Sequence, residues 1–380
     1  MQHSDVVPDR MNSIECLNDV RMNSIERSRL DRLPFSTTMA NIPAHNSTRA
    51  TSLCIMRLPD STTMNTAAGF GASVVPSALK RARSLTLPSR ELVLRRDPSV
   101  YKFWETNESL LEQAWGEWSK EEALPDLDDS LYHPALREAV EASWKNPDVE
   151  HRVRDLIEEV APGVYKVQFF DPEQLPKIRA YLDKAGEAGI PVRPPYGIVL
   201  NRKGYMIDPR SVGYLAIPPF QDFYRDVVDT YMRPLGRLLF PDYIQTEDDT
   251  QSFSFSIQYQ AGKDQSIREH SDASSLTLNI NLNLPGEEWT GSSLYFKDRT
   301  TGEKSMVDFE PGTAVIHRGA HPHAAVPITS GERSNWVLWL SGESQRYFPY
   351  DYHLDPTDRW VKPSAPPMKP TEPHLRWSPF

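Results

Sequence analysis

Leu276-Thr277-Leu278-Asn279-Ile280-Asn281-Leu282-Asn283-Leu284 decides the fold class. Apolar and polar residues alternate without a break, which is the period of a β-strand. Leu276, Leu278, Ile280 and Leu282 line one face; Thr277, Asn279, Asn281 and Asn283 line the other. The apolar face has to be buried. The polar face admits two readings: it meets solvent, or it lines the inside of a barrel that takes a polar small molecule. The same period continues on both sides. Phe253, Phe255, Ile257 and Tyr259 alternate with polar residues upstream, and short strands are expected at Leu294–Phe296, Thr313–His317 and Asn335–Leu340. Turn residues punctuate them at Pro285–Gly286, Gly291, Pro311–Gly312 and Gly331. Repeated short strands with such turns predict a β-sandwich or barrel.

Histidines concentrate in the same region. Four of the ten lie between His270 and His323. His270-Ser271-Asp272 places an imidazole and a carboxylate two residues apart, on one side of an extended chain. His317, His321 and His323 are all available as a third ligand. Two imidazoles and one carboxylate with open positions suit ferrous iron in oxygenases, although a His-x-Asp pair alone is common. Arg333 follows in Gly331-Glu332-Arg333-Ser334, just before an apolar strand. An arginine fork there can hold a carboxylate bidentately; taken alone it is an ordinary surface charge at a turn. Cys16 and Cys54 are the only cysteines. A disulfide framework, a cysteine-type zinc site and a cysteine nucleophile are therefore excluded from the body of the chain.

Tyr259-Gln260-Ala261-Gly262, continuing through Arg268-Glu269-His270-Ser271-Asp272-Ala273-Ser274 to Asn283, resembles the catalytic domain of procollagen-lysyl hydroxylases. These belong to the iron(II)/2-oxoglutarate dioxygenase superfamily, as do prolyl 4-hydroxylases. The second half agrees in Gly312-Thr313-Ala314-Val315-Ile316-His317-Arg318-Gly319, His323-Ala324-Ala325-Val326-Pro327 and Gly331-Glu332-Arg333. The resemblance covers about residues 250–342, with a weaker likeness from Pro162-Gly163-Val164-Tyr165. It implies an α+β protein with a double-stranded β-helix (jelly-roll, cupin-like) core and supporting helices on the N-terminal side. It also implies His270, Asp272 and His323 as iron ligands, with His321 the runner-up and His317 a supporting residue. Arg333 would pair with the distal carboxylate of 2-oxoglutarate. Tyr259 and Asn279 match cosubstrate-contacting positions, against a plain strand-packing reading, and Asn281 is a further candidate from the polar face alone. One departure is Gly291-Ser292-Ser293, where relatives often carry a Gly-Gly-Gly-like run.

The implied chemistry uses iron(II), 2-oxoglutarate and oxygen, with ascorbate a further candidate, to hydroxylate a C–H bond and release succinate and carbon dioxide. Family analogy points to a protein or peptide substrate, at a proline or lysine side chain. The competing readings are a non-catalytic β-helix binding module, a dioxygenase acting on a small molecule, and a zinc or manganese hydrolase or isomerase that has no need of Arg333.

Residues 1–98 contain no Trp or Tyr, and only Phe35 and Phe70 as aromatics. They repeat themselves: Arg-Met-Asn-Ser-Ile-Glu at Arg10–Glu15 and Arg21–Glu26, and Arg-Leu-Pro-x-Ser-Thr-Thr-Met at Arg32–Met39 and Arg57–Met64. Without bulky residues to offset chain entropy, this segment reads as disordered. From Met64 on it resembles an organelle transit peptide. Residues 99–160 read as a helical lead-in, with Asp148 capping a helix whose inner face is Val149, Val153, Leu156 and Ile157. The dioxygenase region is expected over 161–346. It opens with a strand, Tyr165–Phe170, and a helix starting at Asp171–Pro172 with Leu175, Ile178 and Leu182 inside. A second helix is expected over about Phe220–Leu239, kinked or divided by Pro234. Tyr347–Phe380 holds eight prolines and reads as an extended tail.

The net charge of −10 disfavours nucleic acid as a partner, since counterion displacement needs a basic face. No run of 18 apolar residues suggests a transmembrane helix, and the first residues lack the apolar core of a signal peptide. Cytoplasm or nucleus is the expected location, with organelle import open. The oligomeric state is not legible.

Overall fold

In the computed structural model, which describes residues 76–95, 97–192, 220–241, 251–341 and 355–362, the alternating stretch becomes the strand Leu276–Asn281 at the centre of a sheet. In chain order the strands are β1 (Glu158–Ala161), β2 (Val164–Gln168), β3 (Gln251–Gln260), β4 (Ile267–His270), β5 (Leu276–Asn281) and β6 (Thr290–Gly291). They continue with β7 (Leu294–Lys297), β8 (Lys304–Val307), β9 (Thr313–Arg318), β10 (His323–Ala325), β11 (Ile328–Ser330) and β12 (Glu332–Ser341). The larger sheet has the order β1-β2-β9-β5-β12-β3 and the smaller β4-β10-β7-β8; β11 and β6 form a separate pair. All the pairings are antiparallel.

The two faces of the larger sheet are buried against different layers. Leu276, Leu278, Ile280, Ala314, Ile316, Trp336, Leu338 and Leu340 join an apolar cluster made with the helices. The opposite residues of the same sheet, including Phe253, Phe255, Ile257, Tyr259, Val315, Val337 and Trp339, join a second cluster with Leu294, Phe296 and Ala325 of the smaller sheet. The polar residues of β5 share this second side. Thr277 and Asn281 are buried, as is Asn283 just beyond the strand. The solvent reading of that face is therefore overturned.

The helices that cover the outer side are α1 (Ala78–Arg83), α2 (Arg90–Leu94), α3 (Pro98–Glu121), α4 (Pro134–Lys145), α5 (His151–Arg154), α6 (Leu175–Glu187), α7 (Gln221–Asp226) and α8 (Arg233–Leu239), with α9 (Pro356–Arg359) near the end. Among the described residues no helix is long and apolar enough to cross a membrane.

Several expectations need correction. Disorder was expected over residues 1–98. Residues 1–75 lie outside the described part, but α1 and α2 are formed in the remainder. The reason is a small apolar face, Ala78, Leu79 and Ala82, which packs on α3, while the Glu117 carboxylate accepts from the backbone N–H of Ala78 and Leu79. Asp148 is not a cap. Asn146 accepts from the Asp148 N–H and starts a 3-10 turn, Pro147–Val149, and α5 has only one turn before the chain extends into β1. Of its proposed inner face Val153 is fully buried, whereas Leu156 is 38% exposed.

The strand expected at Tyr165–Phe170 is Val164–Gln168, and the next helix begins at Leu175 rather than Asp171, with Leu175, Ile178 and Leu182 inside as expected. Asp171 instead closes a local turn, accepting from Glu173 N–H. Pro234 does divide its helix: a π-helical turn, Val227–Met232, separates α7 from α8. Proline offers no N–H to the carbonyl four residues back, and that carbonyl, of Thr230, accepts from Trp144 Nε1 at 3.0 Å. The proline-rich end is anchored where it is described. Glu150 accepts from Arg359 Nε at 2.9 Å and Trp360 Nε1 at 3.0 Å, and Arg237 donates to the carbonyls of Arg359 and Val361. The rest of 347–380 lies outside the described residues.

Candidate functional site

β4 and β10 are neighbours in the smaller sheet, and His270 and His323 are direct partners in their register. Their rings lie 4.3 Å apart, centroid to centroid. Asp272 stands in the turn after β4. Its N–H donates to Gly319 O at 2.8 Å. Gly319 allows this close approach, because a Cβ there would collide with Ser274 O. The loop after β9 is thereby clamped to the turn that carries Asp272.

One ligand atom from each of His270, Asp272 and His323 lies within 4.8 Å of the others, so this group could hold a metal ion. Asp272 Oδ1 is 3.4 Å from His270 Nε2 and 3.7 Å from His323 Nε2. Such separations suit ligands each about 2 Å from one ion. The tautomers are fixed by the backbone. His270 Nδ1 donates to Arg268 O at 2.8 Å, and His323 Nδ1 donates to His321 O at 2.9 Å. A carbonyl can only accept, so both Nε2 lone pairs are free to face the carboxylate. Asp272 Oδ2 accepts from Thr277 Oγ1 at 2.6 Å, which leaves Oδ1 toward the imidazoles.

Electrostatics keep this donor set in usable form. Burial pushes the Asp272 carboxyl up, but the neighbouring His323, His270 and His317 outweigh it and hold the carboxyl well below the usual range. Burial pushes His323 down, so it is neutral. His270 is opposed by burial too, but its hydrogen bond with Asp272 leaves it raised. His317 on β9 is fully buried and pushed down to about 3 by burial, with a contribution from His323. Its Nδ1 donates to Arg318 O, and its Nε2, with no hydrogen-bond partner, stands 3.8 Å from Asp272 Oδ2. His321 stays outside the group; it contributes its carbonyl to His323 and its ring to the edge of Phe296.

Arg333, at the start of β12, is 1% exposed. Burial pushes its guanidinium down to about 10, and it remains charged. It pairs in register with Tyr259 on β3, and the guanidinium lies 4.5 Å from the Tyr259 ring and 4.9 Å from the Phe309 ring. Nε donates to Ser292 Oγ and Nη1 to Asn335 Oδ1, both at 2.9 Å; Nη2 is buried and has no partner. Asn335 in turn donates from Nδ2 to Asn279 Oδ1 at 2.7 Å. Asn281 spends its amide inside this network, on Asn283, Asn335 and Ser334 O. A buried cation with one unsatisfied edge is costly without a counter-charge. The arrangement fits a carboxylate.

Asn335, Thr277 and Ser292 are neighbours of the site that the sequence pattern does not mark as site residues. Asn335 had a readable signal: it is two residues from Arg333 and so on the same face of its strand. Thr277 is legible only as part of the polar face. Ser292 carried no periodic signal at all. A cavity of about 260 Å³, lined by Trp289, Gly291, Ser292, Ser293, Asp308 and Phe309, shares Ser292 and Phe309 with the surroundings of Arg333.

No family model matches the chain. Among curated proteins it is 32% identical over 193 residues to "2-oxoglutarate and iron-dependent oxygenase domain-containing protein 2" of Xenopus tropicalis, covering 48% of this chain and 50% of that protein. It is 26% identical over 211 residues to "2-oxoglutarate and iron-dependent oxygenase domain-containing protein ICU11" of Arabidopsis thaliana, covering 52% and 50%. Over about half its length the chain is thus similar to proteins named for a 2-oxoglutarate and iron-dependent oxygenase domain. It spans about half the length of these first curated relatives. A further match, 27% identical over 227 residues and covering 55% of this chain and 23% of the other, is the "Procollagen lysyl hydroxylase and glycosyltransferase" of Acanthamoeba polyphaga mimivirus. The donor set described above fits iron(II), and the free edge of Arg333 fits the far carboxylate of 2-oxoglutarate.

Proposed function

We propose that this chain is an iron(II)/2-oxoglutarate-dependent dioxygenase that hydroxylates a C–H bond, with succinate and carbon dioxide as co-products. One observation carries the reading: a neutral-His, carboxylate, His cluster and a buried arginine with a free Nη2 occur in one strand framework. A metal hydrolase or isomerase would need the first and not the second. A non-catalytic module would have no use for either.

His270, Asp272 and His323 would hold the iron, which supplies the oxidation of an unreactive C–H bond when it is bound with 2-oxoglutarate and oxygen. Arg333 orients the cosubstrate by its distal carboxylate, and Asn335 keeps the Arg333 fork in place. Tyr259 packs against the guanidinium and excludes water from it, and Asn279 holds Asn335 from the other side. Thr277 fixes which carboxylate oxygen of Asp272 faces the imidazoles. The two sheets, with their shared apolar cluster, are read as the halves of a double-stranded β-helix. The substrate is taken to be a protein or peptide side chain, proline or lysine, on the strength of the lysyl hydroxylase likeness alone.

The test is succinate release from 2-oxoglutarate with ferrous iron, comparing the native chain with Arg333→Ala and His323→Ala. The native chain should turn over, and both variants should fall by more than about 100-fold. Native turnover no greater than that of His323→Ala would overturn the proposal. Mass spectrometry of proteins hydroxylated by the active chain would then identify the substrate.

A further inference from the structure

Ser292 is the only non-glycine with a left-handed backbone among the described residues, at φ 61°. A side chain with a Cβ is disfavoured in that conformation, and glycine is not. The position is also tightly built. Ser292 is 1% exposed, and its N–H donates to Pro327 O at 3.2 Å. The preceding Gly291 cannot carry a side chain, since its Cβ would collide with the same Pro327 carbonyl. Nothing in this turn favours serine over glycine except the hydroxyl.

That hydroxyl has one partner, Arg333 Nε, at 2.9 Å. A guanidinium is planar, so fixing two of its nitrogens fixes the third. Ser292 takes Nε, Asn335 takes Nη1, and the Tyr259 and Phe309 rings approach the guanidinium. Nη2 is left aimed into buried space with nothing to bond. Ser292 and Phe309 also line the cavity of about 260 Å³, so the residues that hold the guanidinium form part of the boundary of open space beside it.

We propose that Ser292 is a positioning residue. It is kept in a strained backbone so that its hydroxyl locks the Arg333 fork with Nη2 presented to the distal carboxylate of a 2-oxo dicarboxylic acid. This rests on the dioxygenase reading above. It predicts an opposition that a purely structural serine would not show. Ser292→Gly relieves the strain and removes the acceptor, so the chain becomes more resistant to heat while cosubstrate binding weakens.

The experiment uses the full chain with ferrous iron, without oxygen. Thermal midpoints are measured by circular dichroism, and binding of 2-oxoglutarate and of 2-oxobutanoate, which lacks the distal carboxylate, by calorimetry. Ser292→Gly should keep or raise the midpoint and weaken 2-oxoglutarate about tenfold, with 2-oxobutanoate unchanged. Ser292→Asn, which tolerates the left-handed region and offers an amide oxygen, should recover part of the loss. If the native chain binds 2-oxoglutarate and Ser292→Gly binds it equally well, the role of Ser292 is overturned and the dioxygenase reading stands. If both 2-oxo acids weaken alike, Ser292 acts on the whole site and the proposal also fails. If the iron-loaded native chain does not bind 2-oxoglutarate, both readings fall together.

Discussion

The two faces of β5 differ in what they are for, although they alternate residue by residue. Leu276, Leu278 and Ile280 pack with the helices and with Trp336 in one apolar cluster. Thr277 bonds the Asp272 carboxylate, and Asn279 bonds Asn335, which in turn holds Arg333. One face supplies stability by burial, and its neighbours are interchangeable apolar groups. The other consists of directed hydrogen bonds in which each donor has a particular acceptor. Buried polar groups cost free energy unless all are satisfied. The row on β5 is satisfied largely by its own neighbours, and beside it Arg333 Nη2 and His317 Nε2 are left without a hydrogen-bond partner.

The strongest way to break this comparison is to remove an acceptor on the polar side. Asp272→Ala should abolish iron binding and lower turnover by more than about 100-fold, while the unfolding midpoint changes by only a few degrees. Iron content per chain and a thermal melt measured on the same preparation check this. If Asp272→Ala unfolds the chain, the polar face is structural after all. Thr277→Val is the gentler version. It keeps the shape but removes the hydroxyl on Asp272 Oδ2, and iron affinity should fall about 10-fold. The apolar face should respond in the opposite sense. Leu278→Ala removes a fully buried side chain and should cost about 2–5 kcal/mol of stability, with iron stoichiometry kept in the folded fraction. Urea unfolding, with iron bound and without, separates the two effects.

The legibility of the sequence follows the same division. The alternation in Leu276–Leu284 is a long, strict pattern, and period 2 survives because a strand has only two faces. The His270, Asp272 and His323 spacing was legible through family likeness; residue spacing alone left His317 and His321 open. Geometry now separates the three: His323 joins His270 and Asp272 in one ligand group, His317 Nε2 stands 3.8 Å from the other carboxylate oxygen of Asp272, and the His321 ring packs on the edge of Phe296. Which way the asparagine face points was not legible, because a polar strand face has the same pattern in water and inside a barrel. Helix ends were legible only in part. The Glu117 carboxylate and the Thr230 carbonyl have partners set by tertiary contact, whereas Asn146 acts locally, its side-chain oxygen accepting from the Asp148 N–H. Ser292 was legible only as part of the Gly291-Ser292-Ser293 departure, because its role depends on a backbone angle and an arginine 41 residues away.

Acid should weaken the polar face before it weakens the apolar one. Asp272 is held low and stays ionised, and His323 is pushed down and stays neutral. His270 is raised, so its proton competes with iron from above the ordinary histidine range downward. Iron affinity should therefore fall as pH drops through neutrality, with about one proton released per ion bound. Calorimetry in two buffers of different ionisation enthalpy counts that proton. An affinity that is flat from pH 8 to pH 6 would show that His270 is not a ligand.

The smallest expected effect lies on the helix side. Tyr181 on α6 is 2% exposed, and its hydroxyl has no hydrogen-bond partner. Burial raises its pKa well above the ordinary tyrosine value, as it does for Tyr132 and Tyr231. The sign follows from proton linkage. Above about pH 10 the unfolded chain loses protons that the folded chain retains, so stability falls as pH rises. Tyr181→Phe removes one such group together with an unsatisfied buried oxygen. It should stabilise the chain by about 1 kcal/mol at neutral pH and make the decline between pH 9 and pH 11 shallower, with iron binding untouched. Unchanged stability across that range would mean that water reaches the Tyr181 hydroxyl. The helix-side cluster would then be less dry than the leucine face of β5 implies.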